Sequence, residues 1–325
     1  MLKRISLPMN CASSFWLISP RPLKRVIFGF WPDDLQFLEK VPLAAALNRR
    51  EFTKAEIDEG SYVAMGGILT DDLASQIRSE SRSKFGRGFK PQLVPNPSGD
   101  PELFFYASLS KNLAFDKHFQ VSDHPMRFGT NEVVAFGIER SHLANGDYVD
   151  TDPLWRQVRL LNFRTTNNFI IELKTKSEND TLILAKMTPQ STLAETVGEV
   201  LQRTKTAATP EADLVKLLVP KMDFSLTRTY DELLGKHLAF GMTNRANTLQ
   251  IVAADQITRF RLDERGALLE SEARLVATAE TPPQVRVDLI FDRPFLVQLQ
   301  RVGARTPYFA LWIDNAELLA PWSGQ

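Results

Sequence analysis

The sequence predicts an α+β fold of mixed β-sheets, with a helical N-terminal part and a buried C-terminal β-hairpin. Three observations lead there. Between positions 157 and 187, three apolar, β-branched runs follow one another with turn residues between them. Near the C-terminus, Phe295–Gln300 and Tyr308–Ile313 flank a turn containing Val302, Gly303 and Ala304. Helix signals, by contrast, gather in the first hundred residues and recur once after them.

The 325 residues can bury a large core and could hold one large domain or two ordinary ones. Hydrophobic residues make up 43% and charged residues 24%, ordinary values for a globular chain. The 39 basic residues are balanced by 39 acidic ones, which argues against nucleic acid as a partner, because phosphate contacts need a surplus of Lys and Arg. Cys11 is alone, so there is no intrachain disulfide framework. The first twenty residues have a basic start but no long apolar run, and no stretch approaches the roughly 20 apolar residues of a membrane span. A cytoplasmic, membrane-free protein without cofactor is the expectation, and its oligomeric state is left open.

In chain order, Ser19-Pro20 and the run Leu23–Phe30 could start a helix, with Pro22 near its first turn. Leu35–Leu47 is a helix candidate that Pro42 must kink or divide. Gly66-Gly67 reads as a turn or element break. Asp71–Phe85 is the clearer helix: Thr70 or Asp71 can cap it, and Leu73 and Ile77 fall four apart. Gln92–Pro101 is a loop, and Leu103–Leu109 a buried-strand candidate. Gln157–Phe163, Phe169–Thr175 and Thr181–Met187 form an antiparallel meander, with turns at Asn167-Asn168 and at Glu178-Asn179-Asp180. Thr192–Arg203 is a helix opened by a capping box of Thr192 and Glu195. An apolar run from Leu214 to Leu226 follows the linker Thr206–Pro210.

Ile257–Leu262 is a strand that stops at the turn-prone Asp263-Glu264-Arg265-Gly266. Beyond it, Ala267, Leu269, Ser271, Ala273, Leu275, Ala277 and Ala279 alternate with mostly polar or charged residues as far as Glu280. A period of two belongs to a strand with one buried face. The same residues are good helix formers, so a surface helix is the competing reading.

Chemistry-bearing patterns are thin. His118, His124, His142 and His237 show no metal-binding spacing, Cys11 has no neighbouring His, and no phosphate loop or nucleophile elbow is present. The pairs Asp33-Asp34 and Asp71-Asp72 are best read as charges at helix N-termini. An enzyme is therefore not expected.

The C-terminal pattern of Phe291, Pro294, Phe295 and Phe309 closely resembles the signature of the serpins, in which a Phe-x-x-Pro-Phe strand, a polar turn and a second strand form a buried hairpin. Leu311 stands where that family usually has Gly. Asp263–Gly266 resembles the serpin hinge at the end of a central strand, and Val219-Pro220-Lys221-Met222-Asp223-Phe224 resembles its Leu-Pro-Lys strand, followed by a helix at Thr229–Leu234. Phe115 and Phe119 match the family's aromatic turn, although Ala107, Leu113 and Gln256 replace its usual Asn, Gly and His, the polar latch of the central sheet.

The resemblance implies a serpin-like fold over residues 1–325 as a single domain, with a shortened, mostly helical part at 1–100, a sheet-rich part at 101–325 and a reactive loop over residues 264–283. Its hinge would comprise Glu264, Arg265, Gly266, Ala267, Leu269, Ser271 and Ala273, and its scissile bond would lie at Glu280-Thr281 to within about three residues. The implied partner is a protease: it cuts the loop, which then inserts as a strand into the central sheet. An inserted strand of about fourteen residues, at about 3.3 Å each, would carry the protease roughly 45 Å. The alternative is a non-inhibitory, serpin-like binding or scaffold protein whose loop cannot insert.

Overall fold

The computed structural model describes residues 37–42, 58–68, 70–85, 102–109, 113–139, 151–206, 213–238, 249–267 and 286–323. The strands, in chain order, are β1 (Tyr62–Ile68), β2 (Glu102–Leu109), β3 (Leu113–Ala114), β4 (Gln120–Val121), β5 (Met126–Phe128), β6 (Asn131–Val133), β7 (Ala135–Ile138), β8 (Val158–Thr165), β9 (Asn168–Leu173), β10 (Asp180–Lys186), β11 (Asp213–Pro220), β12 (Met222–Thr229), β13 (His237–Leu238), β14 (Leu249–Leu262), β15 (Gly266–Ala267), β16 (Arg286–Ile290), β17 (Phe295–Arg301) and β18 (Phe309–Ile313). The helices are α1 (Asp71–Phe85), α2 (Asp152–Trp155) and α3 (Leu193–Thr206). Among the described residues, no helix is long and apolar enough to cross a membrane. The chain forms two compact units. Among the described residues, one unit lies within 37–109 and 225–259, and the other within 113–224 and 260–323.

The first unit is built on a sheet in the order β1-β2-β14-β12, with β13 also pairing β14. Helix α1 has the predicted bounds. Thr70 Oγ1 accepts the Leu73 N–H at 3.1 Å, so Thr70 is the cap, and Ala74, Ile77 and Ser81 form its buried face. Three readings are corrected here. Gly66-Gly67 lies inside β1, in register with Phe105 and Phe104, because the ladder needs only the backbone groups that glycine retains. Within the helix candidate Leu35–Leu47, residues 37–41 are not helical. Pro42 disfavours helix before it, and the Leu38 N–H donates instead to the His237 carbonyl at 3.0 Å. In Thr229–Leu234 the expected helix is replaced by turns at residues 231–235. Their bonds span three residues, from Leu233 N–H to the Tyr230 carbonyl and from Leu234 N–H to that of Asp231, and Gly235 at φ 71° ends them. The expected elements at Leu23–Phe30 and Gln92–Pro101 lie outside the described residues.

The second unit holds two larger sheets, β18-β17-β10-β9-β8 and β16-β11-β7-β4. The meander β8-β9-β10 is antiparallel throughout, as its turns dictate. Strand β17 then pairs β10 on one side and β18 on the other, so the C-terminal hairpin completes a sheet begun over a hundred residues earlier. Helix α3 covers one face of it, with Leu193, Val197 and Val200 packed on Leu161, Ile170, Ile183, Leu296 and Ala310. The capping box forms as expected: Thr192 Oγ1 accepts the Glu195 N–H at 3.2 Å, and Glu195 Oε2 accepts the Thr192 N–H at 3.1 Å. On Phe291, Phe295, Phe128 and Phe169 the rings meet edge to face at 5.0–6.2 Å, which places the signature phenylalanines in the core. The apolar run Leu214–Leu226 is divided at Lys221 between β11 and β12, which lie in different sheets.

Candidate functional site

Strand β14 carries the chain out of a sheet and straight into the turn Asp263–Gly266. The turn is tight: the Gly266 N–H donates to the Asp263 carbonyl at 3.1 Å, and the Asp263 N–H points back at the Gly266 carbonyl at 3.4 Å. Asp263 is buried and organises it. Its Oδ1 accepts the Arg265 N–H at 2.9 Å, an Asx turn, while its Oδ2 takes Nε of Arg261 at 2.7 Å. A carboxylate that takes both a backbone N–H and a guanidinium loses little on burial.

Gly266 is required twice over. Its φ of 96° is unfavourable for any residue with a Cβ, and a Cβ built there would lie 2.4 Å from the Leu113 carbonyl oxygen, 2.6 Å from the Phe115 nitrogen and 2.8 Å from the Ala114 Cα. Those three groups are the surface on which the turn rests. Strand β15 pairs antiparallel with β3, Gly266 opposite Ala114 and Ala267 opposite Leu113. The Phe115 N–H donates to the Arg265 carbonyl at 3.0 Å, and the Phe119 N–H to the Glu264 carbonyl at 2.8 Å. Beneath, the rings of Phe115 and Phe119 meet edge to face at 4.8 Å and both lean on Phe136. All three are buried, so the aromatic turn 115–119 is a rigid seat for the backbone of the turn Asp263–Gly266.

Glu264 points its carboxylate at Lys221, with Nζ 2.5 Å from Oε2. Burial works against the charged carboxylate, but the Lys221 bond, a bond to its own backbone N–H and the neighbouring positive charges outweigh it and hold the group below the usual carboxylate range. Lys221 is itself fixed at both backbone groups: its N–H donates to the Val134 carbonyl and its carbonyl accepts the Ala320 N–H, each at 2.8 Å. The break between β11 and β12 is thus what aims the lysine at Glu264.

In the first unit, β14 pairs directly with β2, in parallel, from Gln250 opposite Glu102 to Thr258 opposite Leu109, with one irregularity between Ile251 and Ala253. The register sets Gln256 opposite Ala107. The two positions identified from the sequence as departures from the polar latch are therefore in register across the two strands.

Of the predicted site residues, Glu264, Arg265, Gly266 and Ala267 come together at this turn. Leu269, Ser271, Ala273, Glu280 and Thr281 lie outside the described residues, as do Cys11 and His142. Sequence reading missed Lys221 as the partner of Glu264; its place in the Val219-Pro220-Lys221 motif was a signal, but nothing in the chain order ties position 221 to 264. Among the described residues, no three of His, Cys, Asp and Glu gather as a metal site would need. What the arrangement can do is mechanical: it holds the start of a segment against an aromatic seat by backbone bonds and one ion pair.

No family model matches the chain, and no curated protein matches it in sequence. Solved structures do match. Tengpin, a thermophilic serpin in its native state, aligns over 96% of both chains with a TM-score of 0.55 at 10% identity. Native protease nexin-1 with heparin aligns over 94% of this chain and 90% of its own, with a TM-score of 0.51 at 11% identity. Thyroxine-binding globulin in complex with thyroxine aligns over 74% of this chain with a TM-score of 0.46 at 14% identity, and the chain spans 64% of that protein's length. The fold is serpin-like and α+β, as the sequence implied, and at these identities the likeness is one of fold.

Proposed function

We propose that the protein is a serpin-like protease inhibitor, in which the segment after Ala267 is cut by a protease and inserts between β2 and β14. The observation that carries this reading is the parallel pairing of β2 with β14, the strand that ends at the turn Asp263–Gly266. A segment that leaves the end of β14 and returns along the seam runs antiparallel to both strands. Insertion thus replaces one parallel ladder with two antiparallel ones, and antiparallel pairing is slightly more stable per residue. The alternation of Ala267, Ser271, Ala273, Ala277 and Ala279 with polar residues suits a strand with one face buried. On this reading residues 1–325 act as one domain, Glu264–Ala273 as the hinge and Glu280-Thr281 as the bait for an acid-preferring protease.

A non-inhibitory binding or scaffold role is the second reading. It is favoured by Leu269 and Leu275, which are large for a strand that must enter a closed sheet, and by Ala107 opposite Gln256, where the usual latch is missing.

The test is to nick the segment between Gly266 and Pro282 with a panel of proteases and compare thermal melting before and after. Insertion raises the melting temperature and leaves a covalent protease complex with the cognate enzyme. An unchanged or lower melting temperature, with no such complex, refutes inhibition and leaves the binding role.

A further inference from the structure

The aromatic turn that seats the hinge is held from its other side by Gln157. This side chain, 5% exposed, comes from the residue just before β8. Its Oε1 accepts the Lys117 N–H at 2.7 Å and its Nε2 donates to the Lys117 carbonyl at 3.0 Å. A primary amide that takes the N–H and C=O of one residue copies the pairing of a β-strand, so it fixes the two peptide groups on either side of Lys117. Lys117 lies midway between Phe115 and Phe119, the two residues whose N–H groups hold the hinge carbonyls of Arg265 and Glu264.

The anchorage continues behind Gln157. Its backbone carbonyl accepts the Lys174 N–H at 2.8 Å, and two residues on, the Lys176 N–H donates to the Ala114 carbonyl, also at 2.8 Å. The chain following β9 therefore ties Gln157 and the start of the aromatic turn to one rigid edge. We infer that Gln157 is the positioning residue of the hinge: by clamping the Lys117 peptide it holds the N–H groups of Phe115 and Phe119 where the carbonyls of Arg265 and Glu264 meet them. Resting on the inhibitor reading, a further consequence is that Gln157 slows the release of the hinge that must precede insertion.

Two variants of the full chain test this, Gln157→Leu and Gln157→Glu. The leucine keeps the volume but offers no polar atom. The glutamate accepts the Lys117 N–H in either form but can donate to the Lys117 carbonyl only when protonated. Amide exchange at Phe115, Lys117 and Phe119 is the readout, with amides of α3 as the folding control. For Gln157→Leu we expect protection at the three amides to fall at least tenfold at every pH, with α3 unchanged. For Gln157→Glu we expect near-native protection at low pH and a fall as the carboxyl ionises, a profile that simple loss of packing does not produce. Unchanged protection in both variants, or a Gln157→Glu profile that ignores pH, overturns the proposal.

A second arm follows the gain in stability after nicking, expected to appear several-fold faster in Gln157→Leu than in the wild type; equal rates overturn the kinetic part. If the nicked wild type gains no stability, the inhibitor reading fails, and the exchange experiment still decides for or against the clamp.

Discussion

Replacing Gly266 with alanine is the most direct test of the hinge geometry. Two effects add. Forcing a Cβ into a left-handed backbone costs about 1–2 kcal/mol. The Cβ also lands 2.4–2.8 Å from three backbone atoms, where no flexible side chain can yield, so β3 and β15 must separate. Overpacking of this kind costs about 1–3 kcal/mol. The expected loss is about 2–5 kcal/mol, which at an m-value of about 3 kcal/mol/M lowers the urea midpoint by about 0.7–1.7 M. Gly303 is the internal control. It sits in the exposed β17–β18 turn at φ 78°, with nothing within 4 Å of its Cβ position, so Gly303→Ala carries the backbone effect alone, about 1–2 kcal/mol. Urea titration of both variants isolates the packing contribution as their difference, and amide exchange at Phe115 locates it. If Gly266→Ala costs no more than Gly303→Ala, the hinge does not rest on the aromatic turn and the seat described above is wrong.

Three further outcomes are expected. Lys221→Met removes the partner of Glu264 and should cost about 1.5–3 kcal/mol at pH 7; because the folded carboxyl titrates below its usual 4.5, the difference from wild type holds above that pH and vanishes as pH falls through the folded value, which urea titrations at pH 7 and pH 3 will show. Asp292→Ala leaves the buried Lys186 ammonium without its counter-ion, held by the Ile290 carbonyl and the face of the Phe169 ring, at a cost of about 3–5 kcal/mol at pH 7. Burial lowers the Lys186 pKa from 10.5 against the opposing pull of Asp292, so the unfolded chain binds more protons in the alkaline window below 10.5 and the penalty must shrink as pH rises through it; melting at pH 7 and pH 9.5 checks the sign. Glu195→Ala breaks one half of the capping box and should lower stability by about 0.5–1 kcal/mol, read by urea denaturation, with helix α3 retained by circular dichroism.

Much of the fold was legible because its signals are local. The caps of α1 and α3, the meander of β8 to β10 and the C-terminal hairpin each rest on residues within a few positions of one another, and all four form where their residues call for them. The readings that changed depended on distant partners. Gly66-Gly67 becomes strand because β2 supplies a ladder some forty residues on, and residues 37–41, ahead of Pro42, are held out of a helix in part by a hydrogen bond with His237. At the candidate site the turn Asp263–Gly266 could be read directly, since Asp and Gly are the residues such a turn demands. Its seat could not: Lys221 and Gln157 are ordinary polar residues until the chain brings them beside it.

The sequence by itself determined the class of the fold, the place where β14 must stop and the turn that follows it, because propensity, periodicity and turn chemistry act over a few residues. Only the tertiary structure decided that β2 and β14 pair in parallel, that Ala107 faces Gln256, and that Glu264 meets Lys221 across a turn held by Gln157. Those are pairings between residues 40 to 150 positions apart. They are chosen by the burial and hydrogen bonding of whole sheets, a sum to which no single stretch of the chain holds the terms.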